Sequence, residues 1–302
     1  MKIALDPYMH RHLSLPEVAR LAASLGYEYI ELSPRADFFD WFVYPRVDSD
    51  RIREFKSALR ETGVKLASLL PLYRWASPHE DERRVAVRCW KRAIEVAVEI
   101  ECMTMNSEFG RGPSPRRSNF CAGPETLEES EAAFWASMEE LLPIFEKEGV
   151  TLHLEPHPDD FVEDCTRAVD MVRALRSPHV RFLYCAPHTF HMGGNMAEMI
   201  RYAAPVLAHV HLADTLNHKA SSGLRYIVNP PGSKVRVHQH LNIGEGEVDW
   251  DVFFKTLQEI KFDGIMTSCV FAWEDRAVES SRLMLERTKH YLSRYPCGQS
   301  GS

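Results

Sequence analysis

Residues 207–214, LAHVHLAD, form an apolar stretch that contains two histidines two positions apart. Successive side chains of a β-strand point to opposite faces, so His209 and His211 share one face while Val210 and Leu212 share the other. A strand with imidazoles on one face and aliphatic groups on the other indicates a sheet with one chemically active side. The fold is then decided by how many such strands the chain contains and where their polar residues fall.

Short apolar runs alternate with longer amphipathic segments along the whole chain, which is typical of parallel strands joined by helices. The predicted strands are 2–7, 29–34, 64–72, 102–109, 150–158, 180–187, 207–214 and 264–273. The predicted helices lie between Ser14 and Gly26 and near 49–62, 78–101, 125–148, 164–175, 194–203, 249–260 and 277–294. Eight strand–helix pairs predict an α/β fold, a (β/α)8 TIM barrel closed on itself.

This organisation makes residues 1–295 a single barrel domain. The segment 215–246 after the seventh strand is longer than an ordinary barrel loop, which suggests a lid or an arm between subunits of a homo-oligomer. Residues 296–302 have no periodicity and are expected to form a flexible tail.

Composition narrows the class of partner. The formal net charge of the 302 residues is −7, so the global charge favours neither nucleic acid nor an anionic membrane as partner. Asp6 comes too early for a secretory signal, and no run of about 18 apolar residues is present to cross a bilayer. The seven cysteines include no C-x-x-C pair. We therefore expect a cytoplasmic protein that acts on a small molecule.

The polar residues supply a test of the barrel, because active sites of TIM barrels lie at the carboxyl ends of the strands. Acidic and imidazole side chains do concentrate there. They are Glu31, Glu108, His153, Glu155, His157, His188, His191, His209, His211, Asp214 and Glu274. Carboxylates and imidazoles together suit Mn²⁺, Co²⁺, Zn²⁺ and Mg²⁺, although a polar layer of mutually bonded side chains would also explain any one of them.

Several motifs occur in order at the expected strands. They are H-L-E at 153–155, H-T-F-H-M at 188–192, H-V-H-L-A-D at 209–214 and I-G-E-G-E-V-D-W at 243–250. Over the whole chain the sequence resembles the xylose-isomerase-like sugar phosphate isomerase/epimerase barrels. Residues 221–232 and 237–244 are most similar to the branch of myo-inositol catabolism. More distantly the chain resembles the α subunits of C-glycoside deglycosidases, a resemblance that leaves open a small β subunit as partner.

The resemblance implies a divalent metal ion, with Mn²⁺ expected first and Co²⁺, Zn²⁺ or Mg²⁺ as alternatives. Glu155 and His211 match metal ligands of the family. His188 stands where the family usually has Asp, and Cys269 stands where it has a second Glu. For the fourth ligand His240 is preferred, with Glu274 or water as alternatives.

Loss of the second Glu leaves the catalytic base open. His153 precedes Glu155 on the same strand face and is the first candidate, with Glu274 as the alternative; a supporting role for His153, orienting Glu155, also stays open. His191 matches a substrate-binding residue of the family.

Three further residues are predicted to contact substrate. Glu108 ends a strand, Trp273 follows the last strand and offers an aromatic wall, and Arg225 could clamp substrate oxygens or remain solvated.

These residues predict a metal-dependent isomerase or epimerase that acts on a keto-sugar or keto-inositol through an enediolate. Elimination from the same intermediate would instead give a lyase that cleaves 3-keto C-glycosides or dehydrates a keto-inositol. An endonuclease with three zinc ions needs more ligands and a basic face. A sugar-binding barrel without metal is the non-enzymatic alternative.

Overall fold

Eight parallel strands close into a barrel in the order β1 to β8, which confirms the predicted fold. The computed structural model describes residues 1–35, 44–110, 126–190, 194–216 and 239–297. The strands are β1 Lys2–Leu5, β2 Tyr29–Leu32, β3 Lys65–Leu69, β4 Thr104–Glu108, β5 Thr151–Glu155, β6 Val180–Cys185, β7 Leu207–Leu212 and β8 Ile265–Ser268. Pairing between β8 and β1 joins Ile3 to Met266 and closes the ring.

Helices follow the strands in turn. They are α1 Leu15–Leu25, α2 Ser49–Thr62, α3 Glu80–Glu99, α4 Leu127–Glu148, α5 Cys165–Ala174, α6 Ala186–Thr189, α7 Met196–Ala203, α8 Trp250–Glu259 and α9 Ala277–Arg294. Short 3-10 turns occur at Tyr8–His10 and Glu274–Arg276. Across the described ranges, none of these helices combines the length and the apolar character needed to cross a bilayer.

The predicted helix boundaries agree closely with the structure because they rest on capping chemistry. Before α1, the Ser14 backbone N–H donates to Glu17 Oε2 at 2.7 Å, which completes a capping box. The helix ends at Gly26, whose φ of +88° is readily adopted only by glycine. The α4 segment repeats this design between Thr126 and Gly149.

The two faces of the barrel wall differ in chemistry. Outward side chains such as Leu152, Leu154, Val210 and Leu212 are buried in the continuous apolar layer between the strands and the helices. The inward side chains are largely polar and fully buried. They include Glu31, Ser68, Asn106, His153, His209, His211 and Thr267. The barrel axis is thus filled by hydrogen-bonding groups, and the helices supply most of the apolar packing.

Candidate metal centre and active site

The four predicted metal ligands meet at the carboxyl end of the barrel. Glu155 is the last residue of β5, His211 lies on β7, and His188 lies on the one-turn helix α6, which starts directly after β6. His240 enters from the segment that precedes α8. All four side chains are buried.

Contacts of 3.2–3.3 Å link the four side chains in sequence, and His188 faces Glu155 with Nδ1 and His240 with Nε2. Glu155 Oε2 is 3.2 Å from His188 Nδ1 and 3.3 Å from His211 Nδ1. His188 Nε2 is in turn 3.3 Å from His240 Nε2. Metal bonds of about 2.0–2.3 Å place neighbouring ligand atoms at roughly this spacing.

The chemistry of the donor set also fits a cation. Among the described residues, Glu155 Oε2 and His211 Nδ1 are buried and have no hydrogen-bond partner, although they face each other. Leaving buried polar atoms unpaired costs about 1–3 kcal/mol each. A divalent ion between them would satisfy both atoms. The residues present therefore fit a metal centre.

Glu31 fixes the other side of the His211 ring. Its Oε1 lies 3.1 Å from His211 Nε2, and its Oε2 lies 3.3 Å from His209 Nε2. Burial by itself would raise the pKa of Glu31, but His211 and His209 hold that pKa at about 2. A carboxylate in this position orients a ligand histidine and increases its basicity. In the sequence, Glu31 stood out only as an acidic residue at a strand end.

The position of His240 is set by contacts on both sides of its ring. His240 Nδ1 lies 2.6 Å from the carbonyl oxygen of Cys269, so this nitrogen donates and leaves Nε2 as the acceptor. The ring also stacks on Phe271, with centroids 4.5 Å apart and planes 15° apart. These contacts aim Nε2 toward His188.

Asp214 anchors the chain segment that carries His240. Its backbone pairs with Leu241 in an antiparallel bridge. Its fully buried carboxylate accepts hydrogen bonds from the backbone N–H groups of Thr215, Gly244 and Val248 and from the indole of Trp250, at 2.7–3.1 Å. One side chain thereby ties the end of β7 to the start of α8.

His153 lies deeper in the barrel than the predicted ligands. Its Nδ1 is 3.5 Å from His209 Nδ1, and His209 Nε2 bonds to Thr267 Oγ1 at 2.8 Å. Burial, with Arg181 and Lys2 nearby, lowers the pKa of His153 to about 3. His153 is therefore a neutral member of the polar axis, separated from the mouth by Glu155 and His211.

Two cysteines that were not among the predicted site residues lie against His211. Cys185 ends β6 and is paired in register with His211, and Cys269 directly follows β8. Both thiols contact the imidazole, and burial raises the pKa of Cys185 to about 12. Only one feature of the sequence could have indicated that Cys185 faces the site. Alternate residues of a strand share a face, which puts Cys185 on the same face as Leu183 and away from the apolar layer under the helices.

A cavity of about 80 Å³ opens onto this centre. Its described lining consists of Tyr8, Ser33, Pro34, Leu70, Leu72, Glu108, Glu155, His157, His188, His211, His240, Cys269 and Phe271. An adjoining cavity of about 220 Å³ shares Leu72, Glu108 and His157 with it and adds Arg74 and Asp160. Glu108 Oε1 is 3.5 Å from His157 Nε2 at the junction.

The remaining predicted site residues are dispersed. Glu108 lines the mouth, whereas the described lining does not include Trp273 or Glu274. The Trp273 indole donates to Glu245 at 2.8 Å, and Glu274 lies 3.6 Å from Arg11. The predicted substrate contacts His191 and Arg225, and most of the loop 215–246, lie outside the described residues.

Comparison with known proteins assigns the chain to a family. A family model described as xylose isomerase-like TIM barrel matches residues 19–287. The chain belongs to the xylose isomerase-like TIM barrel family. The resemblance seen in the sequence motifs is thereby confirmed. No curated protein matches the chain.

Solved structures share the fold of this family member at low identity. The apo 3-keto-D-glucoside 4-epimerase YcjR of E. coli superposes with a TM-score of 0.71 at 19% identity, over 96% of this chain and 99% of that one. D-psicose 3-epimerase from Clostridium cellulolyticum H10 gives 0.74 at 15% identity, over 97% and 99%. The IolI protein with a bound zinc atom gives 0.71 at 19% identity, over 98% and 99%.

Proposed function

We propose that this protein is a divalent-metal-dependent isomerase or epimerase of a keto-sugar or keto-inositol and that it acts through an enediolate. The observation that carries the proposal is the pair of buried atoms, Glu155 Oε2 and His211 Nδ1, that face each other at 3.3 Å at the mouth of the barrel without forming a hydrogen bond. Two similar structures, named as a 3-keto-D-glucoside 4-epimerase and a D-psicose 3-epimerase, support a sugar substrate.

The metal would be held by Glu155, His188, His211 and His240. When bound there, a divalent cation polarises a carbonyl oxygen and the neighbouring hydroxyl and stabilises the negative charge that develops on oxygen. Glu31 keeps the His211 ring in place, and Cys269 and Phe271 do the same for His240.

We assign the removal of the α-proton to Glu108, in preference to His153 and Glu274. Glu108 lines the cavity that opens onto the centre, and His157 holds its carboxylate at 3.5 Å. His153 lies under the predicted ligands with its pKa lowered by burial, and Glu274 lies beside Arg11. A base must come within hydrogen-bond reach of the proton that it removes, which favours Glu108.

Tyr8 is suited to return a proton to the opposite face of the substrate. It follows β1, nearly across the barrel from β4 and Glu108, and it lines the same cavity. Burial raises the pKa of Tyr8, so its hydroxyl is protonated at neutral pH. A base on one side of the substrate and a hydroxyl donor on the other favour epimerisation over proton transfer within one face.

The adjoining cavity offers room for a substrate that extends beyond the reacting carbon. It brings the Arg74 guanidinium and the buried Asp160 carboxyl next to Glu108 and His157, a lining suited to hydroxyl groups. Burial and the nearby Glu108 raise the pKa of Asp160 well above its ordinary value, so it can present an O–H donor. We propose that this cavity holds the part of a glycoside or cyclitol that lies away from the reacting carbon.

Exchange of the α-hydrogen in D₂O tests the proposal. Protein loaded with Mn²⁺, Co²⁺ or Zn²⁺ is incubated with 3-keto-glucosides, ketohexoses and keto-inositols, and deuterium is followed by NMR. We expect deuterium at the α-carbon of an epimer or isomer without elimination. Glu108→Gln should lower the rate at least ~100-fold while the metal is retained. Glu139→Gln, an exposed carboxylate of α4, is the matched control.

Each other outcome selects a different function. An eliminated aglycone or a dehydrated cyclitol would identify a lyase. Protein that binds a sugar, holds no stoichiometric metal and exchanges no hydrogen would be a metal-free binding barrel. Full activity of Glu108→Gln would exclude Glu108 as the base.

A further inference from the structure

We infer that Cys185 is a sulfur ligand of the metal centre and makes it selective for Zn²⁺ or Co²⁺ over Mg²⁺ and Mn²⁺. The inference rests on the metal centre of the proposed function and adds a ligand of a type that the family resemblance does not supply.

The position of the Cys185 sulfur supports its role as a ligand. In the described residues, four groups of potential ligands have donor atoms within 4.8 Å of one another, and two of them contain Cys185, namely Cys185 with His188 and His240, and Cys185 with Glu155 and His211. Cys185 is the one member that the two groups share. A cation held by ligands from either group therefore lies beside the Cys185 sulfur.

The backbone around Cys185 also holds it close to the predicted ligands. Cys185 ends β6, lies in register with His211 and is also the residue from which α6 starts. Since α6 carries His188, one short backbone segment holds two donors. The Cys185 side chain is fully buried and its thiol lies against the His211 imidazole.

Buried polar atoms beside Cys185 also favour a bound cation. Glu155 Oε2 and His211 Nδ1 lie buried near Cys185 and face each other at 3.3 Å without forming a hydrogen bond, while Glu31 occupies the other side of the His211 ring. A cation satisfies the facing atoms of Glu155 and His211, and the thiol loses its proton to water as the sulfur–metal bond forms, with no change in oxidation state. Thiolate with imidazole favours Zn²⁺ and Co²⁺, whereas Mg²⁺ and Mn²⁺ prefer oxygen.

Cys269 provides a matched control inside the same site. It is as buried as Cys185 and also contacts His211. Its sulfur, however, lies 3.7 Å from Asp6 Oδ2, and it belongs to none of the metal-capable groups found in the described ranges. Replacement of either thiol by a hydroxyl changes the His211 surroundings, but only replacement of Cys185 should remove a ligand.

The experiment is a spectroscopic metal titration of the full chain. Co²⁺ added to wild-type protein should produce a thiolate-to-cobalt charge-transfer band in the near ultraviolet. Cys269→Ser should keep the band, and Cys185→Ser should lose it. Chelator competition should show Zn²⁺ affinity at least ~100-fold weaker in Cys185→Ser, since loss of even an outer-shell partner costs 10–100-fold. X-ray absorption of zinc-loaded wild type should show one sulfur at about 2.3 Å, a test that needs no variant.

The outcomes separate this inference from the proposed function. Stoichiometric metal with only nitrogen and oxygen neighbours in the X-ray absorption spectrum would overturn the Cys185 assignment and leave the metal-dependent activity intact. A band that disappears in Cys269→Ser and persists in Cys185→Ser would also overturn it. Failure of wild type to bind any of the four cations would remove the metal centre itself.

Discussion

Replacing Asp214 with Asn should destabilise the protein far more than an ordinary loop substitution. Each carboxylate oxygen of Asp214 accepts two hydrogen bonds, Oδ1 from Thr215 and Val248 and Oδ2 from Gly244 and Trp250. An amide keeps one acceptor oxygen and turns an NH₂ group toward two N–H donors. Two bonds to a charged acceptor are then lost.

Hydrogen bonds to charged groups contribute about 1.5–3 kcal/mol each, so the loss of two predicts a decrease of roughly 3–6 kcal/mol in the free energy of unfolding. Domains have only about 5–15 kcal/mol in total, so the variant should unfold at a much lower urea concentration. Because the same carboxylate anchors the segment that carries His240, Zn²⁺ affinity measured by chelator competition should fall as well.

The assay is urea unfolding followed by circular dichroism, with the exposed Asp275→Asn as control. The control should change the unfolding free energy by less than about 0.5 kcal/mol. An Asp214→Asn variant within about 1 kcal/mol of wild type, with unchanged metal affinity, would refute the view that this carboxylate holds the segment in place.

Three further predictions test other parts of the molecule. Glu155→Gln should lose stoichiometric metal and turnover together, as measured by elemental analysis and rate; metal loss with full activity would contradict the proposed mechanism. Arg74→Ala should raise the KM for a keto-glycoside about tenfold and leave the KM for a keto-monosaccharide unchanged, because Arg74 lines only the adjoining cavity; equal effects on both substrates would count against that cavity as a subsite. Burial, with His12 nearby, lowers the pKa of His10 from 6.5 to about 4. The neutral imidazole therefore makes its full contribution to the free energy of unfolding above pH 6.5. That contribution, up to ~3 kcal/mol, is lost as the pH falls from 6.5 toward 4. Urea unfolding at several pH values should therefore show a shallower acid loss in His10→Gln than in wild type, and parallel curves would disprove this contribution.

The barrel was predictable because strand parity and helix caps are local. The alternation in LAHVHLAD places His209 and His211 on one face, and in the structure both lie near Glu31. The α1 boundaries follow from Ser14 and Gly26, which act within one turn of the helix. Such signals do not depend on what the chain contacts elsewhere.

The site was less predictable because it depends on which strand ends share a height and on how loops fold back. His240 was chosen for its imidazole alone, and its approach to His188 depends on the stacking with Phe271. Cys185 lies in the mostly apolar strand VRFLYC, and the composition of that strand indicated an ordinary buried thiol. Its closeness to His211 follows from the β6–β7 register, which includes a shift between Phe182 and Leu183 that no local pattern announces.

The division of each strand into an apolar outer face and a polar inner face separates stability from reactivity. Inward residues such as Asn106 and Thr267 do not belong to the apolar layer that attaches the helices, so they can change without opening gaps in that layer. Exchange of one polar side chain for another on this inner face should therefore cost little in helix packing. Laboratory evolution aimed at a new cation or a new sugar should find its tolerated substitutions on that inner face.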